Sequence, residues 1–175
     1  MLIRHVPAVP AILALALPVP AGVATASSTG VTAPAVPACR ESRLAVAATA
    51  ADRPDTLRIS VTNRGAGACV VDRIPTVVCG DLDGPALPVP DADSAPYRLP
   101  AGGSAYAAVR ALDPVSTELR LVDALTVAGD PAHRGRTFDA ATLGAPDGIR
   151  VWEPVTTWWH RSSAEADAVL DRHTD

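Results

Sequence analysis

The 175-residue chain has no lysine and no glutamine, a single asparagine (Asn63), one methionine and six aromatic residues. Without lysine, all 15 basic side chains are arginine, and 19 acidic residues bring the net charge to −4. A nucleic-acid binder normally carries a basic stripe, so this balance argues against that class. Alanine takes up much of the apolar share. The hydrophobic class is 48% of the chain, or 84 residues, of which 34 are alanine and bury little area each. Of the 50 larger apolar residues, 11 fall in the first 26 positions, leaving 39 among the other 149. That suffices for one modest core, and the length fits one domain with tails.

The first 26 residues read as a secretory signal. Arg4 and His5 form a short cationic start, Val6 to Val23 carry no charge, and Ala11 to Leu17 make a compact apolar run. Ala24-Thr25-Ala26 supplies small residues at −3 and −1 for cleavage before Ser27. A membrane anchor is the rival, but Pro7, Pro10, Pro18 and Pro20 interrupt the roughly 20 apolar residues a spanning helix needs. A lipoprotein signal fits poorly, because Pro37 stands inside the box before Cys39. Cleavage would remove Arg4, making the charge 14 − 19 = −5. The expected location is therefore secreted, extracellular or at the cell envelope, with no membrane span after cleavage. Residues 27–37, small and punctuated by proline, read as a linker.

An exported chain meets oxidising conditions, so Cys39, Cys69 and Cys79 are expected to pair. Three pairings are available, each leaving one thiol. Cys39–Cys69 is favoured, because it closes a loop of roughly 30 residues across two predicted strands and stabilises by about 3–4 kcal/mol. Cys69–Cys79 and Cys39–Cys79 are the alternatives. Cys79, after Thr76-Val77-Val78, is then a buried thiol or a redox or dimer-forming one.

Period-2 alternation dominates the chain beyond Cys39. Leu44, Val46 and Ala48 suit a first strand; Leu57, Ile59 and Val61 alternate with Arg58, Ser60 and Thr62 in the clearest one. Asn63 to Gly67 is a turn, and Cys69–Val71 and Thr76–Cys79 are short strands. Residues 85–96 carry four prolines and read as irregular. Tyr97-Arg98-Leu99 leads to a turn at residues 100–103, and Ser104 to Arg110 alternates. Leu119 and Leu121 begin a strand that Leu125 and Val127 continue; residues 129–148 are loop-like, anchored by Phe138 and Leu143. Ile149 to Trp152 is the expected final strand. The reading is all-β, about seven short antiparallel strands forming a sandwich or a barrel. Ser162 to Glu165 fits a capping box, and Ala166, Val169 and Leu170 mark a helical face, so a short C-terminal helical tail closes the chain.

The order of these features resembles a family of secreted actinobacterial domains of unknown function, DUF4232. The residues that carry the resemblance are Ala38-Cys39-Arg40 with Leu44, Thr62-Asn63-Arg64-Gly65, Ala68-Cys69, Ile74-Pro75, Asp83-Gly84, and Leu99 to Ala105 around Pro100-Ala101-Gly102. It covers residues 38–155 as one domain and leaves 156–175 as a tail. Arg73-Ile74-Pro75 departs from the family's Gly-aromatic-Pro, Cys79 is extra, and Trp158-Trp159 lies outside the pattern. The resemblance implies an Ig-like β-sandwich with one disulfide. It implies no activity, and fold alone licenses none.

Catalytic and metal sets are sparse. Beyond the signal, the histidines are His133, His160 and His173, without metal-ligand spacing. Gly102-Gly103-Ser104-Ala105-Tyr106 lacks the last glycine of a nucleophile elbow and sits at a hairpin corner. Asp81 and Asp83, even with Asp91 and Asp93, leave a calcium loop incomplete. No cofactor is expected. The informative clustering is aromatic, since Trp152, Trp158 and Trp159 fall within eight positions. Adjacent strand residues point oppositely, so Trp158 and Trp159 cannot share one buried face. An exposed tryptophan beside His160 and Arg161 suits partner binding, whereas packing of the tail would bury it. The expectation is a non-enzymatic module, binding or structural, whose partner is an extracellular protein or cell-wall component. The alternative is an extracellular hydrolase whose site combines distant residues such as Ser104 and the aspartates.

Overall fold

Residues 35–91 and 95–174 are described by a computed structural model of the chain. The signal expected over residues 1–26, most of the linker over 27–37, and Asp93 lie outside them. Among the described residues, twelve strands form four small sheets, none closed, followed by one helix.

The alternation at residues 57–62 makes the centre of the largest sheet. Strands β1 (Leu44–Ala50), β2 (Thr56–Asn63) and β7 (Ser104–Arg110) pair antiparallel. Next to β7 comes β12 (Val155–Thr157), then β5 (Leu87–Val89), which runs parallel to β12. Ile59 lies opposite Ala107 and Val61 opposite Ala105, so branched side chains on β2 fill the space alanine leaves on β7. Their inner face shares one buried cluster with the other three sheets. Those are β4 (Thr76–Cys79) with β9 (Ala124–Ala128) and β10 (Arg136–Asp139), then β3 (Cys69–Val71) with β6 (Tyr97–Leu99), and β8 (Arg120–Val122) with β11 (Ile149–Val151).

The outer face of the large sheet is covered by α1 (Ser163–Thr174), whose Ala166 and Leu170 seat on Ala108 beside Val89 and Val155. The Ser162 hydroxyl accepts the Glu165 N–H at 3.2 Å, and the Glu165 carboxylate accepts the Arg161 N–H at 3.2 Å. That is the capping logic expected, with the return bond one residue earlier than in the standard box. Twelve residues make a helix that is marginal alone. The sheet holds it: Arg58 pairs with Asp167 at 2.9 Å, Arg53 pairs with Asp171, and Arg110 donates to the Thr174 carbonyl at 3.2 Å.

Cys39 and Cys69 form a disulfide across 30 residues, stapling the start of the domain to β3. Beside it, the Cys39 N–H donates to the Val70 carbonyl at 2.8 Å. Cys79 is a free, buried thiol. The lone asparagine is a clamp. Its Nδ2 donates to the carbonyls of Gly67 (2.9 Å), Pro100 (3.1 Å) and Leu99 (3.3 Å), and its Oδ1 accepts the Gly65 N–H at 2.8 Å. Asn63 therefore joins the turn after β2 to the corner before β7.

Five expectations need correction. The proline-rich stretch 85–96 contributes β5, an edge strand, the one place where Pro88 removes no inner ladder bond. Leu119 and Leu121 are 49% and 59% exposed, and the inward residue is Val122, because the chain breaks between β8 and β9. Residues 129–148 include β10 and a 3-10 turn at Ala140–Leu143. The last strand is β12 rather than Ile149 to Trp152, so the sheet extends past residue 155. Twelve short strands stand where about seven were expected.

Candidate functional site

The register between β12 and β7 explains where the two adjacent tryptophans go. Thr156 lies opposite Val109 and His160 opposite Tyr106, so four steps on one strand face three on the other. This bulge-like extra residue re-aims the chain. The Thr157 hydroxyl accepts the Ala108 N–H at 3.0 Å, satisfying a ladder donor that the shift frees. Trp159 then points into the core and is 0% exposed. Trp158 points the other way and stays half-buried.

Trp158 is fixed by its indole N–H, which donates to the Pro90 carbonyl at 3.0 Å. Above it lies the guanidinium of Arg73, 5.4 Å from the ring centre; the same guanidinium lies 5.1 Å from the centre of Tyr97. Sequence-distant elements place these groups. Asp72 accepts the Ile74 N–H at 2.9 Å, shaping the turn between β3 and β4 that carries Arg73. The β3–β6 ladder sets Tyr97 opposite Val71, two residues before Arg73. The Trp159 N–H donates to the Arg73 carbonyl at 3.0 Å, locking the turn to the chain that bears Trp158.

Beside this stack lies a groove of about 490 Å³, lined by Arg73, Tyr97, Arg98, His160, Arg161 and Glu165. Three arginines and one glutamate thus line it. Among the described residues, Arg73, Arg98 and Arg161 have no ion-pair partner. Arg73 Nε and His160 Nε2 are buried without a hydrogen-bond partner among the described residues. His160 Nδ1 lies 3.5 Å from Glu165. Desolvation pushes the imidazole below its ordinary pKa, with Arg73 and Arg172 adding to the shift and Glu165 opposing it. The Arg161 N–H holds the Glu165 carboxyl below the usual range, helped by His160.

Other candidates are placed apart. The Ser104 hydroxyl shares a 2.7 Å hydrogen bond with Thr62 on the neighbouring strand. His133 Nε2 lies 3.2 Å from the Cys39 carbonyl, and His173 is in the last turn of α1. No three His, Cys, Asp or Glu side chains converge among the described residues, so Asp81, Asp83 and Asp91 gather no calcium set there. A second cavity, about 670 Å³, is lined by Cys79, Leu82, Leu87, Arg110 and Trp152 among others. Burial pushes the Cys79 thiol up to about 11, which makes it a poor nucleophile at neutral pH.

Arg73 and Tyr97 were not among the residues singled out from sequence. The signal for one of them lay in Arg73-Ile74-Pro75, which departs from the pattern of the resembled family. Trp158, marked out in the sequence by its neighbour Trp159, meets Arg73 in space. A family model described as a domain of unknown function (DUF4232) matches residues 39–159, from the first disulfide cysteine through all twelve strands to Trp159. No curated protein and no solved structure matches the chain.

Proposed function

The chain belongs to the DUF4232 family, and from that premise we propose that it is an exported, non-enzymatic, Ig-like β-sandwich module that binds a partner at the cell envelope or outside it. The partner is an extracellular protein or cell-wall component, and the docking face is built around Trp158. One observation carries this reading: Arg73 is stacked against Tyr97 and Trp158, with no acidic partner among the described residues. A partly exposed tryptophan and a pre-positioned arginine are side chains of the kind that dominate interface energetics. Trp159, fully buried, supports the face from below rather than touching a partner.

The sandwich reading draws support from the single cluster shared by β2 and β7 with β4 and β9, and from the Cys39–Cys69 staple. That staple and the signal-like residues 1–26 support export. Ser104, committed to Thr62, favours binding over hydrolysis.

Two measurements test the proposal. N-terminal sequencing of the protein from culture supernatant should begin at Ser27; an intact Met1 in cells only would refute export. Immobilised full chain should retain a defined component of the envelope or supernatant, and Trp158→Ala should reduce retention at least tenfold. Equal retention by both proteins would refute this face as the docking surface.

A further inference from the structure

The groove beside the Arg73–Tyr97 stack carries more positive than negative side chains. The chain carries a net −4, yet Arg73, Arg98 and Arg161 converge there against Glu165 alone. Such local excess in a concave wall focuses positive potential. Glu165 is itself engaged by the Arg161 N–H at 3.2 Å and by His160 at 3.5 Å.

The aromatic rings do not form a bare platform. The guanidinium lies over both Tyr97 and Trp158 at 5.1 and 5.4 Å. A sugar or base seeking an open aromatic face would have to displace that cation. What the stack leaves uncommitted is the edge of the guanidinium. Nε is buried without a partner among the described residues, while Arg73 as a whole is partly exposed. A planar fork held by stacking has little entropy left to lose on binding and presents parallel donors to a flat oxyanion. His160 Nε2 is a second unpaired polar atom on the same wall.

We infer that this groove is an oxyanion-binding site: Arg73, with Arg161 and Arg98, takes a carboxylate or phosphate group presented by the partner. The inference rests on the partner-binding proposal and names its chemistry. Arg73 supplies the in-plane donors, while the exposed Arg98 and Arg161 complete the charge without direct burial.

The three tryptophan indole N–H signals of ¹⁵N-labelled full chain provide the test. Inorganic phosphate and D-glucuronate are titrated separately at constant ionic strength set by chloride, with neutral D-glucuronamide as control. A saturable shift of the Trp158 signal with either anion, while Trp152 in the other cavity stays still, is expected. Saturation with phosphate alone or glucuronate alone supports the site and assigns its anion. Arg73→Gln and, separately, the exposed Arg161→Gln should each weaken the response at least tenfold; Arg161→Gln keeps the test decisive if Arg73→Gln does not fold. No saturable shift, an equal response to glucuronamide, or an unchanged response in folded Arg73→Gln and Arg161→Gln would overturn the inference. Partner retention that still depends on Trp158 in that case would leave the docking face standing and remove only the oxyanion. Probe binding without Trp158-dependent retention would do the reverse.

Discussion

Replacing Trp158 and Trp159 one at a time by alanine should separate two roles that adjacent residues play. Trp159 is 0% exposed and lies in the main core, and truncating such a ring costs about 3–5 kcal/mol. Its indole N–H has no partner among the described residues, an orphan that offsets about 1–3 kcal/mol of the gain from burial. The alanine variant should therefore fall near the lower end of that range, and Trp159→Phe, which removes the orphan and keeps a ring, should cost far less. For Trp158 the losses are a hydrogen bond to Pro90, about 0.5–1.5 kcal/mol, and a cation–π contact with Arg73, about 0.5–1 kcal/mol. These two contacts sum to about 1–2.5 kcal/mol, to which the partly buried ring adds its lost apolar contact. Urea unfolding followed by circular dichroism, with equal slopes for the variants, measures both. At roughly 2–4 °C per kcal/mol for a domain of this size, melting temperatures should separate as well. A Trp158→Ala loss equal to or greater than that of Trp159→Ala would refute the assignment of one ring to the core and the other to the docking face.

Reduction of Cys39–Cys69 should cost about 3–4 kcal/mol for its 30-residue separation; equal urea midpoints for oxidised and reduced protein would contradict this. Asn63→Asp turns the Nδ2 donor, which faces three carbonyls, into an acceptor, and should destabilise by about 2–4 kcal/mol, read as a lower thermal midpoint. His160 also predicts a pH effect. Its folded pKa lies below the ordinary 6.5, so as pH falls through 6.5 the unfolded chain takes up the proton first. Stability from this group is present above 6.5, declines below it and levels off under the folded value. Melting curves between pH 7.5 and 5 should show this decline, and His160→Gln should flatten it.

What could be read from sequence was local. The β2 pattern, the Cys39–Cys69 staple and the helical face at Ala166, Val169 and Leu170 are each set by near neighbours or by spacing along the chain, and each is found where that spacing puts it. Strand β5 was hidden, because Pro88 and Pro90 look like breakers until the strand is known to lie at an edge. Leu119 and Leu121 misled, since an alternating pair says which residues share a face but not which face is inside. The candidate site was legible by half. Trp158 stood out as an aromatic neighbour of Trp159, but the bulge-like register that aims it, and the turn that brings Arg73 over it from 85 positions earlier, are tertiary facts.

The sealed position of Cys79 has a consequence for how the disulfide is kept correct. Thiol exchange needs a thiolate with access to a disulfide sulfur. With a pKa of about 11, Cys79 in the folded chain is thiolate in about one molecule in 10⁴ at pH 7. In either wrong pairing Cys79 is itself bonded, and the freed thiol is Cys39 or Cys69, which can attack the wrong disulfide. Only the native bond leaves Cys79 as the thiol, and there it is buried. The native pairing is thus the one whose leftover thiol is withdrawn from exchange.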